Sequence, residues 1–371
     1  MNVPFYTSTR EYRDHKDEFD DAVHGVMERG DFILGNEVVE FEKEAAAWLG
    51  VKYAVGVASG SDALVMGSDI LGFKDGAEVL TPTFTFFAST SCVARLGGKP
   101  VLVDMDEETL EMNVAQAADR VSDKTVGIIP VHLFLQPTPM QAVMDLSRTH
   151  NLKVLEDAAE AWGMESCVDG MWRKAGTIGD IGGFSFFPTK TLGSYGDAGL
   201  MVTNDEDFYK KIKSYRVHGS SVKYHHDYIG YNSRLDSLQA AVLRIKLRIT
   251  NEAIAARARH AKHYTERLAR ISGLRIPSMG EGSRGVYYVY NILVPRRDEL
   301  AVTLKEKGIG TSIYYPIPLH LQKCFAYLGH KEGDFPVAER VCKQILALPI
   351  YPELRDDEVD YVCDEIVRFY R

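Results

Sequence analysis

The chain of 371 residues has only five cysteines, Cys92, Cys167, Cys324, Cys342 and Cys363, and they are scattered. An odd number without close pairs argues against a disulfide framework, a paired-thiol redox centre or a thiolate metal site, and leaves reduced thiols as the expectation. Long apolar runs are also lacking. None approaches the roughly 18 residues a spanning helix needs, so no membrane partner is expected. Met1-Asn2-Val3-Pro4-Phe5 has neither the basic nor the apolar region of a secretory leader, and a cytoplasmic location is the expectation. No block of like charge stands out, and the net charge is -9, so a nucleic-acid surface is not expected. An acidic balance does not bar an anionic small molecule, because local Lys and Arg decide that. No internal repeat or low-complexity segment is evident.

What is present is a large apolar complement, 45% of residues, enough for a sizeable core and, by length, two or three domains. Short apolar runs at 53–58, 77–80, 101–103, 126–131, 153–155, 181–187 and 200–202 read as strands. Helical patterns such as 140–149 and 208–217 separate several of them. Apolar strands without alternation, interleaved with helices, predict a mostly parallel sheet covered on both faces. The pattern changes near residue 250. One long helix is expected over 250–271, then a strand over 286–294 and helices over 298–307 and 356–369. The expectation is therefore an α/β protein with a large domain at 1–249 and a smaller α+β domain at 250–371.

Two segments carry chemistry. Gly183-Phe184-Ser185-Phe186-Phe187-Pro188-Thr189-Lys190 is an apolar run that ends in a lysine and then breaks into Gly193 and Gly196. Most lysines in Gly-rich turns lie on the surface. This one follows a buried strand, and a buried lysine has a depressed pKa and becomes a usable amine. Upstream, Val154-Leu155-Glu156-Asp157-Ala158-Ala159-Glu160 sets a carboxylate at the end of another apolar run. By itself Asp157 reads equally well as a helix N-cap. Together, a strand-end Lys and a strand-end Asp suit pyridoxal 5'-phosphate (PLP), one to hold its aldehyde and one to pair with its ring nitrogen. Ser59-Gly60-Ser61-Asp62, opening a helix after a strand, suits a phosphate, although such turns are frequent in α/β proteins. Phe84, Phe86 or Phe87 can lie on an aromatic ring, although most such phenylalanines are core.

With these motifs in order, the chain resembles the DegT/StrS-type sugar aminotransferases of the PLP fold type I (aspartate aminotransferase-like) class. Phe32-Ile33-Leu34-Gly35, Thr81-Pro82-Thr83-Phe84-Thr85-Phe86, Pro130-Val131-His132-Leu133, Gly176-Thr177-Ile178-Gly179-Asp180, Gly230-Tyr231-Asn232-Ser233-Arg234 and Tyr315-Pro316-Ile317-Pro318-Leu319-His320 complete the match over essentially the whole chain. The resemblance implies that Lys190 is the Schiff-base lysine, Asp157 the partner of the ring nitrogen, and Phe86 the stacking aromatic. Gly60, Ser61 and Ser185 match phosphate-binding positions. Asn232 matches a residue that reaches the phosphate from the neighbouring subunit, which implies a homodimer with shared sites. Lys223, Tyr224, Arg234, Tyr314 and His320 fall in segments that line the sugar-nucleotide cleft.

Three departures stand out. Glu160 replaces the commoner Gln beside the cofactor's phenolic oxygen, and must be protonated or accept a hydrogen bond there. Trp162 replaces a His, which puts the cleft wall in question, and Leu135 replaces a Gly in a loop near the substrate. The activity implied is ping-pong transfer of an amino group from an amino acid, usually glutamate, to a keto group at C3 or C4 of a nucleotide-linked, dTDP-leaning, keto-6-deoxyhexose. Pyridoxamine 5'-phosphate would be the form between half-reactions. Lys190 argues against the family's deoxysugar dehydratase branch, which has His there. Two rival readings stay open: amination of a cyclitol ketone, and a PLP-binding regulator without turnover.

Overall fold

The structure is a computed structural model and describes residues 1–371. The first nine strands in chain order are β1 (Tyr53–Val57), β2 (Glu78–Pro82), β3 (Lys99–Val103), β4 (Thr125–Ile128), β5 (Lys153–Asp157), β6 (Glu165–Val168), β7 (Met171–Lys174), β8 (Ile181–Ser185) and β9 (Gly199–Thr203). Seven form one central sheet in the order β1-β9-β8-β5-β4-β2-β3. It is parallel from β8 to β3, whereas β9 runs antiparallel to both β1 and β8. The fold class is thus the expected one, a mostly parallel sheet flanked by helices. β6 and β7 form a separate hairpin.

The missing alternation has its predicted cause. Every residue of β9 is buried, and the sheet has a core on each face. On one face Val55, Leu64, Met66, Leu155 and Met201 pack together; on the other, Phe41, Phe184, Phe186, Leu200 and Leu243 do. The 181–187 run is regular strand only to Ser185, and the 126–131 run only to Ile128. Pairing thins beyond them, with Val131 still bridging Asp157 and the Phe186 amide donating to Ala198 O at 2.8 Å, and the residues that follow build the site.

The long helix begins earlier than its apolar pattern suggested, spanning Ser237–Leu268, with the Asp236 side chain accepting the Gln239 amide at 2.9 Å. Its first half, through Leu243 and Leu247, packs against the sheet, and its second half, through Tyr264 and Leu268, enters another core. A division at 249/250 therefore falls inside one continuous helix. The second core is built on antiparallel strands Tyr290–Leu293 and Ile345–Leu348 with helices Arg297–Glu306 and Asp356–Tyr370. It also takes in Val3, whose amide donates to Gly308 O at 2.8 Å. The start of the chain thus packs with its last third. No helix is long and apolar enough to cross a membrane.

Candidate active site

In a parallel sheet the strand C-termini open on one edge, where ligands bind. Here β1, β2, β4, β5 and β8 deliver their following residues to a cavity of about 410 Å³. β5 ends in Asp157 and β8 in Ser185, while Lys190 follows in a turn closed by its own amide on Phe187 O at 2.9 Å. Gly60, Ser61, Phe86, Asp157, Glu160, Ser185, Lys190 and Tyr314, all singled out in the sequence, line this cavity.

Asp157 is buried. Its Oδ2 accepts the Ser89 hydroxyl at 2.6 Å and its Oδ1 the Ala159 amide at 3.1 Å. Burial raises its pKa against the pull of these two donors. No cation pairs with it in the chain, so the carboxylate is set to take a protonated ring nitrogen. Across the cavity, the Lys190 ammonium lies 3.1 Å from Glu160 Oε1 and 4.3 Å above the centre of the Tyr288 ring. Glu160 Oε2 accepts the Phe134 amide at 2.9 Å.

The expected depression of the Lys190 pKa is corrected here. Burial does push it down, but Glu160, Tyr288 and Asp157 together outweigh burial, and the net direction is up. A reading of strand ends foresees the burial but not the anion that compensates it.

The phosphate end is a backbone cradle. The helix Gly60–Leu71 starts at the cavity, capped by Ser59, whose side chain accepts the Asp62 amide at 3.1 Å. First-turn amides have no acceptor within their own helix and suit an anion. A Cβ on Gly60 would sit 2.6 Å from Ser185 Cβ, so glycine is what lets the helix start close against Ser185. Cradle, hydroxyl, amine and unpaired buried carboxylate together fit PLP, whose phosphate Gly60, Ser61 and Ser185 would hold, with Lys190 toward its aldehyde and Asp157 toward its ring nitrogen.

The other expected residues lie elsewhere. Lys223 and Tyr224 are exposed on a small hairpin, Asn232 is exposed, and Arg234 is half-buried; none lines this chain's own cavity. His320 is corrected from cleft residue to buried brace. It is 2% exposed, with Nδ1 2.9 Å from Thr83 Oγ1 and Nε2 3.0 Å from Glu339 Oε1. Trp162 is also off the wall, buried flat against Trp48 with ring centres 4.7 Å apart. Tyr288, Tyr315 and Ser89 were not anticipated. Ser89 lies less than one turn beyond Phe86, at Asp157. Tyr288 comes from the last third of the chain, held by Arg257 Nη1 donating to its carbonyl at 3.1 Å, and no local signal announces it.

Fold and cavity define a PLP-dependent transferase of fold type I. Comparison with known proteins narrows this: the chain belongs to the DegT/DnrJ/EryC1/StrS aminotransferase family, matched over residues 13–367. It is 43% identical to a pleiotropic regulatory protein of Geobacillus stearothermophilus, over 100% of this chain and 99% of that one. It is 38% identical to the UDP-N-acetyl-3-dehydro-alpha-D-glucosamine 3-aminotransferase of Acidithiobacillus ferrooxidans, over 99% and 97%. The solved structure of S. venezuelae DesV in complex with a ketimine intermediate matches with a TM-score of 0.96 at 35% identity, over 100% of this chain and 99% of that one. The protein is a sugar aminotransferase and PLP is its cofactor.

Proposed function

We propose that the protein transfers the amino group of an amino acid, L-glutamate first among donors, to the C3 keto group of a nucleotide-linked hexose, acting as a homodimer. The observation that carries the reaction is the single cavity in which Lys190, Asp157, Ser185 and the Gly60–Leu71 helix start converge. When bound there, PLP supplies an electron sink for the carbon that gains or loses the amino group. The protein's residues do the rest. Asp157 holds the ring nitrogen protonated, and Ser89 fixes the orientation of its carboxylate. The Lys190 amine, freed in turn, takes and returns the migrating proton. Glu160 and Tyr288 hold that amine in place.

The 3-keto assignment rests on the resemblance of the Tyr315–His320 and Ser233–Asp236 segments to members acting on 3-keto sugars, against Glu160, which leans to 4-keto-6-deoxy substrates, and on the 3-aminotransferase named above. That relative is named for a UDP sugar, whereas the family resemblance as a whole leans to dTDP, so both nucleotides belong in the assay. The homodimer is supported by charge. Lys190 is the only Lys or Arg lining the cavity, too few cations for a diphosphate or a dicarboxylic donor. Lys223, Arg234 and Asn232 of a second copy would complete the site, and Phe32, Ile33 and Phe87 are exposed apolar groups for it to cover.

The test is an absorbance spectrum of the cofactor-loaded protein before and after L-glutamate, beside Lys190→Ala, followed by UDP- and dTDP-linked 3-keto and 4-keto hexoses. Loss of the visible band on glutamate in wild type alone, then amination of a 3-keto sugar, is expected. Retained turnover in Lys190→Ala, or equal rates on a free cyclic ketone, would sink the reading. The relative named as a regulatory protein keeps a second role in view. Sequence-specific DNA retardation without any amination would favour it.

A further inference from the structure

A second cavity, of about 170 Å³, lies beside the catalytic one, with Leu133 in the wall of both. It opens where the 133–135 loop meets the strand Tyr290–Leu293 and the 276–279 segment, and none of its lining residues is charged. Its walls are mainly Leu110, Phe134, Ile276, Met279 and Val289, with a few polar groups. Two of these are spent: the Thr265 and Tyr290 hydroxyls lie 2.8 Å apart, and Thr265 donates to Ala261 O at 2.9 Å. Asn291 differs. It is 6% exposed and lines the cavity, and both Nδ2 and Oδ1 are buried with no partner.

A buried carboxamide without partners is costly, because each of its groups gives up hydrogen bonds to water and gains none in return. Replacement by a hydrocarbon would be the cheaper choice for a wall that did nothing but pack. The side chain offers one donor and one acceptor side by side, the complement of another amide edge. The cavity is slightly larger than one of about 150 Å³ known to admit benzene. Its uncharged walls would penalise an ion that found no partner.

We infer that this cavity is a binding site for a small neutral molecule with an apolar, ring-sized body and an amide edge, which pairs with Asn291. It is separate from the cofactor site, behind Leu133 and Phe134.

Benzamide is the probe, titrated by calorimetry into the cofactor-loaded protein, with benzoate and toluene as comparators. Saturable binding of one benzamide per chain is expected, with benzoate at least about tenfold weaker. Asn291→Leu should lose at least about tenfold in benzamide affinity while retaining toluene. Met279→Trp, at a partly exposed position of the rim, should block benzamide while leaving the fold and the cofactor spectrum intact, so the inference does not hang on one variant. No saturable binding, equal binding of benzoate, unchanged affinity in both variants, or displacement of benzamide by the sugar nucleotide would each overturn it. An Asn291→Leu protein that is more stable and binds benzamide as wild type does would show that the amide holds only water.

Discussion

The Lys190 ammonium and the Glu160 carboxylate lie 3.1 Å apart, and the carboxylate's other oxygen is fixed by the Phe134 amide. The pair holds the one amine of the cavity in its charged form, although the free amine is what attacks an aldehyde. Capture of PLP by the apoprotein should therefore speed up with rising pH. Glu160→Gln removes the anion, lowers the Lys190 pKa and moves that rise to lower pH. Stopped-flow capture rates across pH for the two proteins decide it; superimposable profiles would show that Glu160 does not hold the ammonium.

Gly60 is needed for contact rather than for backbone freedom, since its Cβ would meet Ser185 Cβ at 2.6 Å. Gly60→Ala should push the helix start off Ser185 and weaken PLP binding by at least about tenfold, an effect of roughly 1.4 kcal/mol. Far-UV circular dichroism should be unchanged. Equilibrium dialysis gives the number, and wild-type affinity would remove Gly60 from the cradle.

Glu111 is buried, with Oε2 3.0 Å from the Thr138 hydroxyl, which itself donates to Val131 O at 2.7 Å, and Oε1 accepting the Leu133 amide at 3.3 Å. Burial raises its pKa well above the usual carboxylate range, outweighing those donors. The folded chain keeps a proton that the unfolded chain releases, so stability is lost as pH rises above the unfolded carboxylate pKa. Glu111→Gln should remove that loss. Its melting temperature should gain on wild type between about pH 5 and pH 8, and a constant difference would show that Glu111 is ionised in the fold.

His320 bridges Thr83 and Glu339 in the interior, so its removal should act on stability. His320→Ala should cost about 2–3 kcal/mol in urea unfolding and leave the KM for the sugar within about twofold, less than 0.5 kcal/mol. A large KM change with stability intact would return His320 to the substrate cleft.

Much of this was legible because strands covered on both faces must be apolar throughout, and a polar residue ending such a run must have somewhere to go. That logic reaches Asp157, Ser185 and Lys190, each just past or at the end of a strand. It fails for Tyr288, brought to Lys190 by Arg257 on the long helix, and for His320 and Trp162, whose motif neighbours face the cavity while they face the core. It also misses the start of that helix. Between residues 237 and 249 the helix is buried on two sides, Leu243 and Leu247 in the sheet core and Val242 and Ile245 against Phe19, and the narrower stripe that marks an amphipathic helix appears only further on.

The seven strands of the central sheet, their apolar runs and the residues at their ends were determined by the sequence alone, because local hydropathy and periodicity are properties of short segments. Tertiary structure decided how charge is balanced. The carboxylate that overrides the burial of Lys190, the hydroxyl that steadies Asp157 and the unpaired amide of Asn291 depend on residues distant in sequence or facing an unseen wall. The energy of a buried polar group is set by what stands across from it, and that is fixed only when the chain has closed.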